Sequence, residues 1–213
     1  MKPGVLLHMT PCPHPVPGAH PTNPRRRSST SSVAALAREN AELRRTLASI
    51  RSLRELAYRD ALTGLWNRRY FEQRTAEELA RARRDPESPF TLVVVDVNNM
   101  KEINDCHGHE AGDRALKWVA HFLAQNLRAY DVTFRLGGDE FALLLPSTRA
   151  DDAACLISRL RRDLAVANTC REVPVGLSFG AATYRDVDTT DLAIFVRADE
   201  AMYEDKRRQR QAA

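Results

Sequence analysis

Apolar residues recur at spacings of three and four along the first part of the chain, at Val33, Leu36, Leu43, Leu47 and Ile50, with Asn40 on the same seam. Leu36, Leu43 and Ile50 take one heptad position (d), and Val33, Asn40 and Leu47 take the other (a). A seam of this kind predicts a helix that pairs with a second helix, and an Asn at an a position favours two strands at some cost in stability. Ser32 stands where an N-cap belongs, and neither Gly nor Pro follows before Gly64. The seam lasts about three heptads before Arg54 falls on it. A dimerising stalk over 33–58 is the expectation, and an amphipathic helix lying on its own domain is the alternative.

Beyond Asp60 the pattern alternates between helical and extended periods. Asn67 can cap a helix running to about Arg84, where Asp85-Pro86 ends it. Phe90 to Val97 is a near-continuous, β-branched apolar run, as a strand buried on both faces requires. Helical periods follow over 99–105 and 111–128. Val132–Leu136 and Phe141–Leu145 flank Gly137-Gly138-Asp139-Glu140 and predict a β-hairpin with its tip at the glycines. A helix over 150–166, a strand over 173–183 and a helix over 190–208 complete the order β-α-α-β-β-α-β-α. This predicts an α/β (α+β) fold, a central sheet containing an antiparallel hairpin and flanked by helices.

Composition adds four constraints. Residues 1–32 are rich in Pro, Ser, Thr and His and cannot bury enough apolar surface to order, so a disordered tail is expected. The net charge of +4 is mild and no aromatic residues interleave with the basic runs, so a nucleic-acid polymer is not an expected partner. Cys12, Cys106, Cys155 and Cys170 form no CxxC pair, which argues against a zinc site and for reduced thiols. Val5-Leu6-Leu7 is too short for a signal-peptide core, and no window approaches a transmembrane length. A cytoplasmic protein without direct membrane insertion is expected.

Candidate chemistry gathers at two places. Asp96 closes the most apolar strand, where a carboxylate is costly to desolvate unless it meets a cation or a donor. Asp139 and Glu140 follow two glycines that permit close backbone approach and positive φ. With the hairpin beside the 90–97 strand, three carboxylates are expected to converge at one sheet edge, a hard oxygen set suited to Mg²⁺ and a nucleoside triphosphate.

Gly137-Gly138-Asp139-Glu140-Phe141 resembles the signature of the diguanylate cyclase (GGDEF) domain family. Asp60-Ala-Leu-Thr-Gly-Leu-Trp-Asn-Arg-Arg69 looks like that family's opening motif. Asp96–Asp105 (DVNNMKEIND) and Gly108–Asp113 (GHEAGD) resemble its nucleotide-site segments. Ser178-Phe-Gly180 resembles its late strand, and Ala198–Lys206 its last helix. Together these cover residues 59–210. The resemblance implies a nucleotidyl-cyclase, palm-like fold that condenses two GTP into cyclic di-GMP across a homodimer joined through the helical stalk.

The same resemblance assigns roles. Asp96, Asp139, Glu140 and the carbonyl of Val97 would hold Mg²⁺, with Mn²⁺ as a substitute. Asn104 and Asp113 would read the guanine edge, and Gly137 and Gly138 would leave room for phosphates. Lys101, Lys206 and Arg210 would neutralise the triphosphate. Asp139, Glu140 and Lys206 make up the catalytic set. Arg128 and Asp131, an Arg-x-x-Asp pair five residues before Gly137, would form a product-inhibitory site with Arg159. Two residues depart from the family pattern: Asn98 stands where many members have Asp, and Gln209 where a Gly is frequent. Asn99 and Met100 are also less common choices. The alternative reading is a catalytically silent domain that binds cyclic di-GMP or GTP.

Overall fold

The computed structural model describes residues 25–85, 87–185 and 190–212. They fall into two units that divide between Arg51 and Ser52. The described residues of the first unit, 25–51, belong to α1 (Arg25–Tyr58), which begins seven residues ahead of the expected Ser32 cap. The tail expected over 1–32 is otherwise outside the described residues. Val33, Leu36, Leu43, Leu47 and Ile50 are each more than half exposed among the described residues. The Asn40 side-chain amide donates to Leu36 O of its own helix at 3.1 Å.

The second unit is built on a five-stranded sheet in the order β1-β3-β4-β2-β5, where β1 is Trp66–Asn67, β2 Thr91–Asn98, β3 Val132–Gly137, β4 Glu140–Leu145 and β5 Gly176–Thr183. β1 runs parallel to β3, and every other pairing is antiparallel. Helices α2 (Arg68–Ala82) and α6 (Asp191–Ala212) cover one face; α3 (Met100–His107), α4 (His109–Gln125) and α5 (Ala150–Asn168) cover the other.

The alternation of side chains along β2 explains this layering. Leu92 and Val94 join Phe71, Leu79, Ile194, Ala198 and Met202 on the α2/α6 face. Val93, Val95 and Val97 join Ile103, Leu116, Val119 and Leu160 on the opposite face. Thr91 through Val97 are all buried, as a central strand covered on both sides must be.

Local boundaries differ from the expected ones for identifiable reasons. α2 begins where Asn67 accepts from Tyr70 N–H at 3.2 Å, as its type predicts. β5 starts at Gly176 rather than Val173, because the Asn168 side chain occupies both backbone groups of Val175. Asn168 Nδ2 donates to Val175 O at 2.9 Å and its Oδ1 accepts from Val175 N–H at 3.0 Å. The two-residue β1 was not expected; it is too short to carry a period.

Gly180 sets the position of α6. A Cβ at that residue would lie 2.0 Å from Met202 N and 2.1 Å from Ala198 O, so the helix backbone rests directly on β5. That seating places the last turns of α6 beside the end of β2.

Candidate functional site at the end of the central strands

Asp96 and Glu140 are direct partners in the β2–β4 register, so their side chains leave the same face of the sheet. Asp139 lies at the hairpin tip, and its carbonyl accepts from Val97 N–H at 3.0 Å. The tip turns through Gly137 and Gly138, with φ of 149° and 51°, values that a residue with a Cβ seldom adopts. Arg135 holds the turn: its Nε and one terminal nitrogen donate to Gly138 O at 3.2 and 2.8 Å. Its other terminal nitrogen donates to Asp60 Oδ1 at 2.9 Å. Asp60 also accepts from the Thr63 N–H and hydroxyl, and these bonds outweigh its burial and hold its carboxyl below the usual range.

The acids sit at the end of the two central strands, not at a sheet edge as expected, because β4 and β2 are interior in the strand order. Burial pushes the Asp96 carboxyl above its ordinary value, and Asp139 adds to this while Lys206 opposes it. Lys206 Nζ donates to Asp96 Oδ1 at 2.5 Å. Glu140 is likewise raised, first by burial and then by the negative charges of Asp199, Asp139 and Asp96, with Arg68 opposing. The three expected carboxylates therefore share one electrostatic neighbourhood. Among the described residues, however, no group of three His, Cys, Asp or Glu side chains is close enough to hold a metal by itself. Mg²⁺ is usually held by one or two carboxylates together with substrate phosphates, so a raised, mutually repelling acid pair fits such an ion better than a closed protein cage would.

A cavity of about 430 Å³ opens at the end of β2, with Asn98, Asn99, Lys206, Gln209 and Arg210 among its lining residues; none of the three acids lines it, and Lys206 links it to Asp96. Lys206 and Arg210 thus meet at one site, and Arg210 is near enough to Asp96 to oppose the rise of its pKa. Lys101 is exposed on α3 and does not line the cavity. Asn99 takes the left-handed conformation, φ 59° and ψ 25°, where β2 passes into α3; Asn tolerates that region better than most residues do.

Asn104 and Asp113 stand on α3 and α4, the first half-buried and the second exposed. Neither lines this cavity. Gly112 lets the two helices close at Asn104, since a Cβ there would fall 2.0 Å from Asn104 Oδ1. Gly112 and Arg135 were missed as site residues. Gly112 lay inside a quoted motif, and Arg135 was a lone charge in a strand whose neighbours Phe134 and Leu136 are buried.

The second constellation forms a separate cavity of about 450 Å³, lined in part by Arg128, Asp131, Arg159 and Arg162. Asp131 Oδ2 accepts from Arg128 N–H at 2.9 Å. Its Oδ1 is buried without a hydrogen-bond partner. Burial raises the Asp131 carboxyl above its ordinary value, opposed by Arg128. Arg159 is tied to Asn126 O at 2.5 Å, which brings it into the same wall.

The site is thus a helix-flanked mixed sheet whose interior strands end in paired acids beside a Gly-Gly turn. Residues 57–212 match the family model described as "Diguanylate cyclase, GGDEF domain", and the chain belongs to that family. It is 38% identical over 156 residues to diguanylate cyclase DgcP of Pseudomonas aeruginosa, covering 72% of this chain and 23% of that protein. It is 36% identical over 157 residues to the response regulator PleD of Caulobacter vibrioides, covering 71% of this chain and 34% of PleD. The chain thus spans about a third of the length of PleD and less than a quarter of DgcP. Among solved structures, the coiled coil and GGDEF domain of DgcB from Caulobacter crescentus, in complex with c-di-GMP, superposes with a TM-score of 0.72 at 28% identity. That match covers 83% of this chain and 95% of that one. Among the described residues no helix is long and apolar enough to cross a membrane.

Proposed function

We propose that the chain is an active diguanylate cyclase, condensing two GTP into cyclic di-GMP and two pyrophosphates in the cytoplasm, where GTP is supplied. The observation that carries this reading is the Asp96–Glu140 pair, in register beside the Gly137-Gly138 turn and within reach of Lys206 and Arg210. Burial raises both carboxyls, and acids perturbed in this way cluster at functional sites.

Asp96, Asp139 and Glu140, with the Val97 carbonyl, would hold Mg²⁺ or Mn²⁺, which when bound would supply positive charge against the triphosphate and favour loss of the ribose 3′-hydroxyl proton. Gly137 and Gly138 present backbone without side chains, which leaves space for phosphate oxygens. Lys206 and Arg210 would stabilise charge growing on the departing pyrophosphate. Asn104 and Asp113 would hold the guanine edge through complementary donors and acceptors. Lys101, exposed on α3, would add charge at the phosphates.

One chain holds one GTP, so two must face each other for each 3′-hydroxyl to attack the other's α-phosphate. The exposed seam at Val33, Leu36, Leu43, Leu47 and Ile50 supports dimerisation through the stalk. Product would return to the cavity at Arg128, Asp131 and Arg159 and lower the rate. The buried, unpartnered Asp131 Oδ1 supports this, because guanine carries N–H donors suited to it. Asp139→Ala is expected to abolish turnover while the fold persists; unchanged product formation by that variant would refute the assignment.

A further inference from the structure

The two departures from the family pattern touch each other. Asn98, the last residue of β2, and Gln209, near the end of α6, are joined by a hydrogen bond from Asn98 Nδ2 to Gln209 Oε1 at 2.9 Å. Asn98 Oδ1 accepts from the hydroxyl of Ser178 at 2.9 Å, and Ser178 is fully buried. Gln209 Nε2 donates to Leu177 O at 3.2 Å and to Asp205 Oδ2 at 2.8 Å. Asp205 is itself buried, accepting from Arg161 at 2.7 Å and from Phe179 N–H at 3.0 Å.

These partners leave little freedom in the orientation of either amide. Leu177 O and the Asp205 carboxylate are acceptors, so the Gln209 NH₂ group must face them. Its Oε1 then points at residue 98 and requires a donor there. Asn supplies one; an ionised Asp cannot, and would set two acceptors against each other at a half-buried position. Room for the pair comes from Gly176, whose added Cβ would lie 3.1 Å from Asn98 Cβ. Asn98 and Gln209 are therefore one matched unit.

The pair sits among the cations assigned to the triphosphate. Lys206 is three residues before Gln209 and Arg210 follows it, and all four side chains line the 430 Å³ cavity. Helix ends fray unless tied down, and Arg210 is in the last turn of α6. We propose that the Asn98–Gln209 amide pair is a positioning device, pinning the end of α6 to the end of β2 so that Lys206 and Arg210 are held toward the phosphates of a bound nucleotide. This rests on the nucleotide-site reading above.

The test measures binding of 3′-deoxy-GTP, which lacks the attacking hydroxyl, and of guanosine, which lacks phosphates, both in Mg²⁺. Asn98→Asp and Gln209→Ala are each expected to weaken 3′-deoxy-GTP binding about tenfold, the scale of one lost hydrogen bond, and to leave guanosine binding unchanged. The double variant should bind no more weakly than the worse single, because the mismatch is already relieved. Losses that multiply toward about a hundredfold would mean two independent residues and overturn the pair. Equal weakening of guanosine would reveal a general loss of structure and overturn the positioning role. Gln209→Ala, a good helix former in the final turns, keeps the test open should Asn98→Asp fail to fold. Wild-type protein that binds 3′-deoxy-GTP, with variants that bind equally well, would remove the pair alone. Wild-type protein that does not bind it would remove the nucleotide site itself.

Discussion

Gly112→Ala separates stability from recognition. The added methyl would fall 2.0 Å from Asn104 Oδ1, a distance no real contact tolerates, and 3.0 Å from its Cγ. What yields is decided by stiffness: the obstacle is the far end of a side chain, not backbone. Asn104 is therefore expected to rotate away while α3 and α4 keep their places. In the helix interior, Ala is favoured over Gly by about 1 kcal/mol, so the variant should be at least as stable as the parent. Two guanine hydrogen bonds lost with the Asn104 amide, at about 1 kcal/mol each, correspond to about a 30-fold rise in the dissociation constant for GTP. ATP, whose base presents a different edge, should bind the variant as it binds the parent. Calorimetric titration with non-reacting analogues of each nucleotide, alongside a thermal melt, reads all three quantities. Unchanged GTP affinity with an unchanged or higher Tm would refute the placement of guanine against Asn104.

Gly180→Ala should behave in the opposite way, because its methyl would meet the backbone of α6 at Met202 N and Ala198 O. Overpacking of about 3 kcal/mol is expected, a fall in Tm of about 10 °C, together with loss of activity as Lys206 moves from Asp96. Product inhibition should weaken as pH falls. Asp131 starts with a raised pKa, and its ionised form accepts from guanine, so affinity for cyclic di-GMP drops as pH descends through that value. Inhibition curves at several pH values should show this, and Asp131→Asn should flatten the dependence. Removing residues 1–57 should lower specific activity on dilution; activity per chain that is constant across concentrations would deny the stalk its dimerising role.

The sequence pattern located the elements well where a period was long enough to register. The seven buried residues of β2 and the amphipathic α4 and α5 were legible for that reason. The two residues of β1 were not, and β5 lost its first residues to a side chain, Asn168, that no periodicity describes. At the site, the acids and the glycine turn were legible because a carboxylate ending an apolar strand is costly and two glycines before it are suggestive. Their arrangement was not: sheet order decides whether a strand end is interior or edge, and order is a long-range property. The same holds for Gly112 and Gly180, whose importance lies in what a Cβ would strike. Asn98 and Gln209 were visible only as separate oddities, since a bond between residues 111 positions apart appears only once β2 and α6 are folded together.

The most direct test is to strip bound nucleotide from the purified protein, incubate it with GTP and Mg²⁺, and identify the products by mass. The account predicts cyclic di-GMP and two equivalents of pyrophosphate from the wild type. A stripped, dimeric wild type that binds GTP and releases no cyclic di-GMP would contradict it.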